Sequence, residues 1–232
     1  KGTFTETMIA LLGNPLAREV DFGTFIAQRT GDSQNFDLAP LKPCRFIAAS
    51  ETNTYERFNE AKVKKLTGGN DIYCAFKHRD HFNYRPQFKI WLSSNQPVNA
   101  DPDDDAVWGR IRMVEFLHSH LGAEDKALKE QMRSEAVLQG VLAWAVVGAQ
   151  LWYELDKKGL PELETGSRTK AAQRAELDNV QTWIEERCYQ GKEAFAANET
   201  IYPNYEQWCK ANGIEPKKQK AFSQSLKRKG FN

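Results

Sequence analysis

Phe46-Ile47-Ala48-Ala49-Ser50-Glu51 decides the fold. An unbroken apolar run between Arg45 and a terminal carboxylate is the pattern of a strand covered on both faces, because a strand with one wet face alternates instead. Phe88 to Ser94, closed by Asn95, repeats that pattern. Ile72 to Lys77 and Ile111 to Phe116 read as two more strands. Between them lie helical stretches. Phe4 to Leu12 has helical apolar spacing and stops at Gly13-Asn14-Pro15, while Thr54 is placed to cap a helix from Tyr55 to Leu66 that ends at Thr67-Gly68-Gly69-Asn70. Strands that alternate with helices predict an α/β layer.

The rest of the chain is helical. Glu124 to Tyr153 reads as one amphipathic helix, and the polar run Glu162 to Ala175 as a linker. Asp178 caps a helix carrying Val180, Trp183 and Ile184. Tyr205 to Asn212 and the basic stretch Lys217 to Lys229 complete a helix-turn-helix outline. The expected boundaries are 1–122 for the α/β core, 123–175 for a helical extension and linker, and 176–232 for a small C-terminal α domain.

With 232 residues, 41% hydrophobic and 27% charged, the chain is long enough for a real core and too apolar to be disordered. The most apolar stretch, Val141 to Ala149, is too short to span a bilayer, and no apolar segment follows Lys1 as in a signal peptide. A cytoplasmic protein is the expectation. Cys44, Cys74, Cys188 and Cys209 have no paired spacing and read as reduced thiols. Cys74, His78 and His81 are three possible metal ligands close in sequence, but strand alternation turns them to different faces and a closed zinc site needs a fourth.

Charge is uneven although the net is only +1. Lys210, Lys217, Lys218, Lys220, Lys227, Arg228 and Lys229 face Glu215 alone in the last stretch, so the body of the chain is net acidic. A basic end on an acidic body fits a polyanion contact, and equally a solvated helix face.

The candidate chemistry sits at strand ends. Lys1-Gly2-Thr3 opens a helix, as does the end of a phosphate-binding loop: the lysine meets phosphate oxygens and the hydroxyl meets Mg²⁺. Glu51 follows one buried strand and is placed to orient the metal or the attacking water. Asn95 follows another and is placed to position a water against a γ-phosphate. Arg110, after the acidic loop Asp101-Pro102-Asp103-Asp104-Asp105, is placed to reach a neighbouring subunit's nucleotide, with Arg112 as the second choice.

The ordered series Lys, Glu, Asn, Arg resembles the superfamily 3 helicase region of phage and plasmid primase-helicases, a family that includes the poxvirus primase-helicase. Five blocks carry the resemblance: Lys1–Phe4 as the end of Walker A, Phe46–Asn53 as Walker B, Asn59–Asn70, Phe88–Pro97 as sensor 1, and Ala106–Arg112 around the arginine finger. Tyr202 to Phe231 looks like the winged-helix-like domain that often follows. Asn70 stands where the family usually has Asp, and Ala75 where Arg is common.

The resemblance implies an AAA+-type P-loop ATPase sheet whose glycine-rich loop lies upstream of Lys1, a helical extension, and a winged-helix-like domain with an incomplete wing. It implies ATP and Mg²⁺, the latter held through Thr3 and Glu51, a homo-oligomeric ring, commonly a hexamer, an upstream primase domain or partner, and translocation on single-stranded DNA. A phage-encoded protein would work in the host cytoplasm. The family's channel hairpin maps to Lys77 through Arg85. Lys77, Arg79 and Arg85 would meet phosphates there, and His78, His81, Phe82 and Tyr84 would stack on bases. Lys217, Lys220, Lys227 and Arg228 would add phosphate contacts at the C-terminal helix. The competing reading is a nucleic-acid-binding fragment without ATPase activity, working through that helix.

Overall fold

The computed structural model describes residues 1–26, 35–50, 57–120, 122–123, 125–155, 159–191 and 193–231. They form two compact units, Lys1–Asn99 with Arg110–Ser167, and Ala100–Gly109 with Arg168–Asn232.

The first unit is mixed α/β. Helix α1 (Gly2–Leu12) leads to strand β1 (Ala17–Glu19), then β2 (Phe46–Ser50), helix α2 (Glu60–Thr67), the hairpin β3 (Ile72–Ala75) and β4 (His81–Tyr84), and β5 (Lys89–Ser93). Strands β1, β2 and β5 form a parallel sheet with β2 in the middle, pairing Ala17 with Phe46 and Phe46 with Lys89. Phe46, Ile47, Ala48 and Ala49 are all buried, as the unbroken apolar run required. Alternation splits them. Ile47 and Ala49 join Phe25, Leu38, Leu41, Leu66, Ile72 and Phe88 on one side, whereas Phe46 and Ala48 meet Met8, Ile9, Leu12 and Trp91 on the other.

Expectations from sequence need correction at several points in this unit. Helix α2 begins at Glu60, not Tyr55, and its cap is Asn59, whose side chain accepts from Lys62 N–H at 2.9 Å. Phe58 bridges Ile26 and donates its N–H to Asn99, so the chain is still extended there. Residues 51–56, Thr54 among them, lie outside the described residues. Ile111 to Phe116 is not a strand. Among the described residues it pairs with no sheet edge, and Val114 and Phe116 are half exposed. Glu124 to Tyr153 is two helices, α4 (Leu128–Gln131) and α5 (Glu135–Glu154), separated at Ser134, whose backbone is extended. Lys129 and Arg133 hold the α4 end to Glu6 of α1 at 2.6 and 3.0 Å.

Helix α5 exposes Leu142, Trp144, Val147 and Leu151. At 20 residues it is long and apolar enough to cross a membrane by length and composition, which the shorter run Val141 to Ala149 did not suggest. The polar stretch read as a linker is helix α6 (Glu164–Glu176). It is rich in Ala, Glu, Lys and Arg, all strong helix formers. Gly166 lets it pass close to the Met113 carbonyl, since a Cβ there would lie 2.2 Å from that oxygen.

The second unit is all helical in its described residues: α3 (Asp105–Trp108), α7 (Asn179–Arg187), α8 (Asn198–Ala211) and α9 (Gln219–Arg228). Asp178 does cap α7, accepting from Gln181 N–H at 3.0 Å. Helix α8 starts seven residues before the expected Tyr205 and runs through Pro203, anchored by the Tyr202 hydroxyl on the Lys217 carbonyl at 3.1 Å. The core is aromatic. Tyr205 stacks on Phe222 at 4.5 Å, and Trp183 meets both edge-on. Phe222 is 2% exposed, so Phe222→Ala should destabilise this unit by about 3–5 kcal/mol, the range for a buried phenyl whose cavity cannot collapse. Urea unfolding followed by tryptophan fluorescence measures it.

Candidate functional site

In a parallel sheet the carboxyl ends of all strands share one edge, and ligands bind in the crevice outside it. Here that edge receives Ser50 at the end of β2 and Ser93, Ser94 and Asn95 at the end of β5. Helix α1 runs antiparallel to the strands it covers, which brings its N-terminus to the same edge. Lys1 Nζ donates to the Ser94 carbonyl at 2.5 Å and to Asn95 Oδ1 at 2.6 Å. Two residues 94 positions apart in sequence are thereby joined.

The surroundings suit an anion. Thr5 N–H is the first amide used inside the helix, donating to Lys1 O at 3.3 Å, so those of Gly2, Thr3 and Phe4 have no intrahelical acceptor. The helix dipole adds positive potential. A Cβ on Gly2 would meet nothing nearer than Glu6 Oε1 at 3.6 Å, so the approach over the first turn is open. Thr3 is half-buried in that turn. Glu51 lies outside the described residues. Arg110 is exposed, and Arg112 pairs with Glu162 at 3.3 Å, which occupies the alternative finger.

The hairpin is a second candidate site. Strands β3 and β4 pair antiparallel with Cys74 opposite Phe82, and the turn carries Lys77, His78, Arg79 and Asp80, all exposed. His78 sits at φ 63°, the left-handed region, which tightens the turn. His81 stacks on Tyr73 at 4.6 Å with the rings 8° from parallel. One residue expected to stack on a base is closed off, and one expected to meet phosphate is exposed beside an acid. Tyr84 is buried and donates its hydroxyl to the Leu38 carbonyl at 2.7 Å, and burial pushes its phenol far above the ordinary range. Arg85 pairs with Asp71 at 3.2 Å.

Sequence reasoning missed the other wall. Phe36 and Lys42 line an open groove of about 1090 Å³ together with Phe76, Phe82 and the turn residues. Phe76 is 42% exposed and stacks on Phe82 at 5.7 Å, and Lys42 Nζ lies 5.1 Å from the Phe82 ring centre. No sequence signal links positions 36 and 42 to a turn forty residues on. Cys74 is buried while His78 and His81 are exposed, and among the described residues no three metal-ligating side chains converge.

In the second unit the four basic candidates divide. Lys220 and Lys227 are exposed. Lys217 is 19% exposed and bonds Asp101 and Asp103, both at 2.9 Å, and Arg228 donates to the Asp103 carbonyl at 2.9 Å. Burial alone would lower the Lys217 pKa, but the hydrogen bonds and charges of the two aspartates outweigh it and raise it.

Residues 1–112, which include both strand-end residues and the hairpin, match a family of unknown function (DUF5906). Residues 175–230, which hold α7 to α9, match a family described as Poxvirus D5 protein-like. Three viral relatives each carry the name putative helicase. The one from Acanthamoeba polyphaga mimivirus is 28% identical over 134 residues, covering 56% of this chain and 14% of that protein. The one from Frog virus 3 is 24% identical over 228 residues, covering 90% and 23%. The one from Invertebrate iridescent virus 6 is 31% identical over 100 residues, covering 41% and 10%. The chain resembles viral helicases. It spans less than a quarter of the length of each of these relatives.

Proposed function

We propose that this chain is the ATPase and DNA-gripping region of a superfamily 3, AAA+-type replicative helicase that moves on single-stranded DNA as a homo-oligomeric ring, with a primase domain or partner upstream. The supporting observation is the meeting of Lys1 with Asn95 at the carboxyl edge of a parallel sheet, at the N-terminus of α1. Lys1 and the first-turn amides would bind the phosphates, and Mg²⁺, held through Thr3 and Glu51, would neutralise the β- and γ-oxygens. Asn95 would hold the attacking water in line with the γ-phosphorus, and Arg110 of a neighbouring subunit would stabilise the charge that develops there. The groove of Phe36, Lys42, Phe76 and Phe82, with Lys77, His78, Arg79 and His81 at its rim, would hold bases and backbone. The exposed apolar residues of α5 would give the assembly a surface to cover.

The test is Asn95→Ala in the whole protein. Turnover of ATP should fall by roughly 10²–10³, the range for losing one preorganised donor, with nucleotide affinity little changed. A protein that binds single-stranded DNA but never hydrolyses ATP, before or after the substitution, would return the reading of a binding module without ATPase activity.

A further inference from the structure

The acidic loop and the basic helix of the second unit neutralise each other. Asp103, with its side chain 8% exposed, accepts from Lys217 at 2.9 Å and lies 3.9 Å from Lys229, which also bonds Asp178. Asp101 takes the other side of Lys217. The loop is fastened from behind as well. Arg174 reaches the Pro102 carbonyl and Asp105, both at 2.5 Å, and buried Trp108 donates its indole N–H to Asp101 O at 2.9 Å. Burial would raise the Asp103 pKa, yet the Lys217 hydrogen bond and the charges of Lys217 and Lys229 hold it below the ordinary carboxylate value. The loop thus presents carboxylates to Lys217 and Lys229 and the Asp103 backbone carbonyl to Arg228, and leaves Lys220 and Lys227 facing water.

We propose that the Asp101–Asp105 loop is an intramolecular competitor for nucleic acid. Its carboxylates stand where strand phosphates would, and a strand engages Lys217 together with the basic face of α9 only by displacing Asp101 and Asp103. This inference rests on the reading of α9 as a nucleic-acid contact.

The experiment measures binding of a fluorescein-labelled oligothymidylate to the whole chain across a salt series. Asp101→Asn with Asp103→Asn should tighten binding and steepen the log–log salt slope by ~0.7, since Lys217 becomes available to a single strand while Asp178 still holds Lys229. Lys220→Gln with Lys227→Gln should flatten the slope by ~1.4, at ~0.7 for each of the two lysines. An unchanged slope in this lysine variant would overturn the α9 reading, and the competitor with it. A flattened slope there, alongside no gain in the aspartate variant, would overturn the competitor alone. Because the aspartate variant strips both carboxylate partners from partly buried Lys217, hydrogen exchange on the unaltered chain gives a second readout. Saturating oligothymidylate should speed exchange of the Asp103–Trp108 amides, and unchanged or slower exchange there would sink the proposal.

Discussion

A whole protein carrying Arg110→Ala should bind ATP with near-normal affinity and hydrolyse it about 10³–10⁵ times more slowly, the contribution of an arginine finger to turnover. The asymmetry between binding and turnover follows from where the charge forms. A finger meets the γ-phosphoryl oxygens as negative charge shifts in the transition state, so it acts on kcat and barely on the ground state. Lys1→Ala should differ, since Lys1 lies at the phosphate end of α1 and its loss weakens binding as well. Mixing the two inactive proteins should restore part of the activity, because a mixed ring contains some interfaces with both groups intact. If mixed rings form and none returns, Arg110 does not act in trans. Arg112→Ala is the control. Its guanidinium is committed to Glu162 at 3.3 Å, with both side chains partly exposed, so its loss should cost little turnover.

How much of this was legible depended on how local the deciding physics is. The Phe46–Ser50 strand was legible because burial on both faces writes itself into every residue of the run. The Asp178 cap was legible because it acts across three residues. Ile111 to Phe116 carried the apolar content of a strand but had no edge to pair with, and no property of the segment itself reveals that. The helix at Glu164–Glu176 read as a linker because its polarity was plain, whereas the approach of Gly166 to Met113 is a tertiary fact. At the strand ends, residue types suggested roles, and only the fold brought Lys1 to Asn95. At the hairpin, sequence supplied the basic turn but misassigned Tyr84, whose hydroxyl serves the core, and missed Phe36 and Lys42. The charge surplus at the C-terminus was countable. That Lys217 is already paired with Asp101 and Asp103, over a hundred positions away, was not.

Lys77→Ala with Arg79→Ala in the whole protein should abolish unwinding while leaving DNA-free ATPase activity near that of the unaltered protein. The hairpin is bonded to itself as a separate two-stranded sheet, whereas Lys1 and Asn95 meet at the edge of the parallel sheet. Substituting two exposed turn residues removes phosphate contacts without removing a buried atom, so the fold should hold. Phe76→Ala separates grip from stacking at the same place. With its ring 42% exposed and set against Phe82, it offers a face to a base but no charge to a phosphate. Its loss should weaken single-strand binding by about 1–3 kcal/mol per base unstacked and leave the salt slope unchanged, whereas the Lys77–Arg79 variant should lower that slope by ~1.4. The two variants therefore move different observables if the groove holds a strand. A common loss of DNA-free ATPase in both would mean instead that the hairpin supports the first unit's core, where Cys74 and Tyr84 are buried, and does not handle DNA.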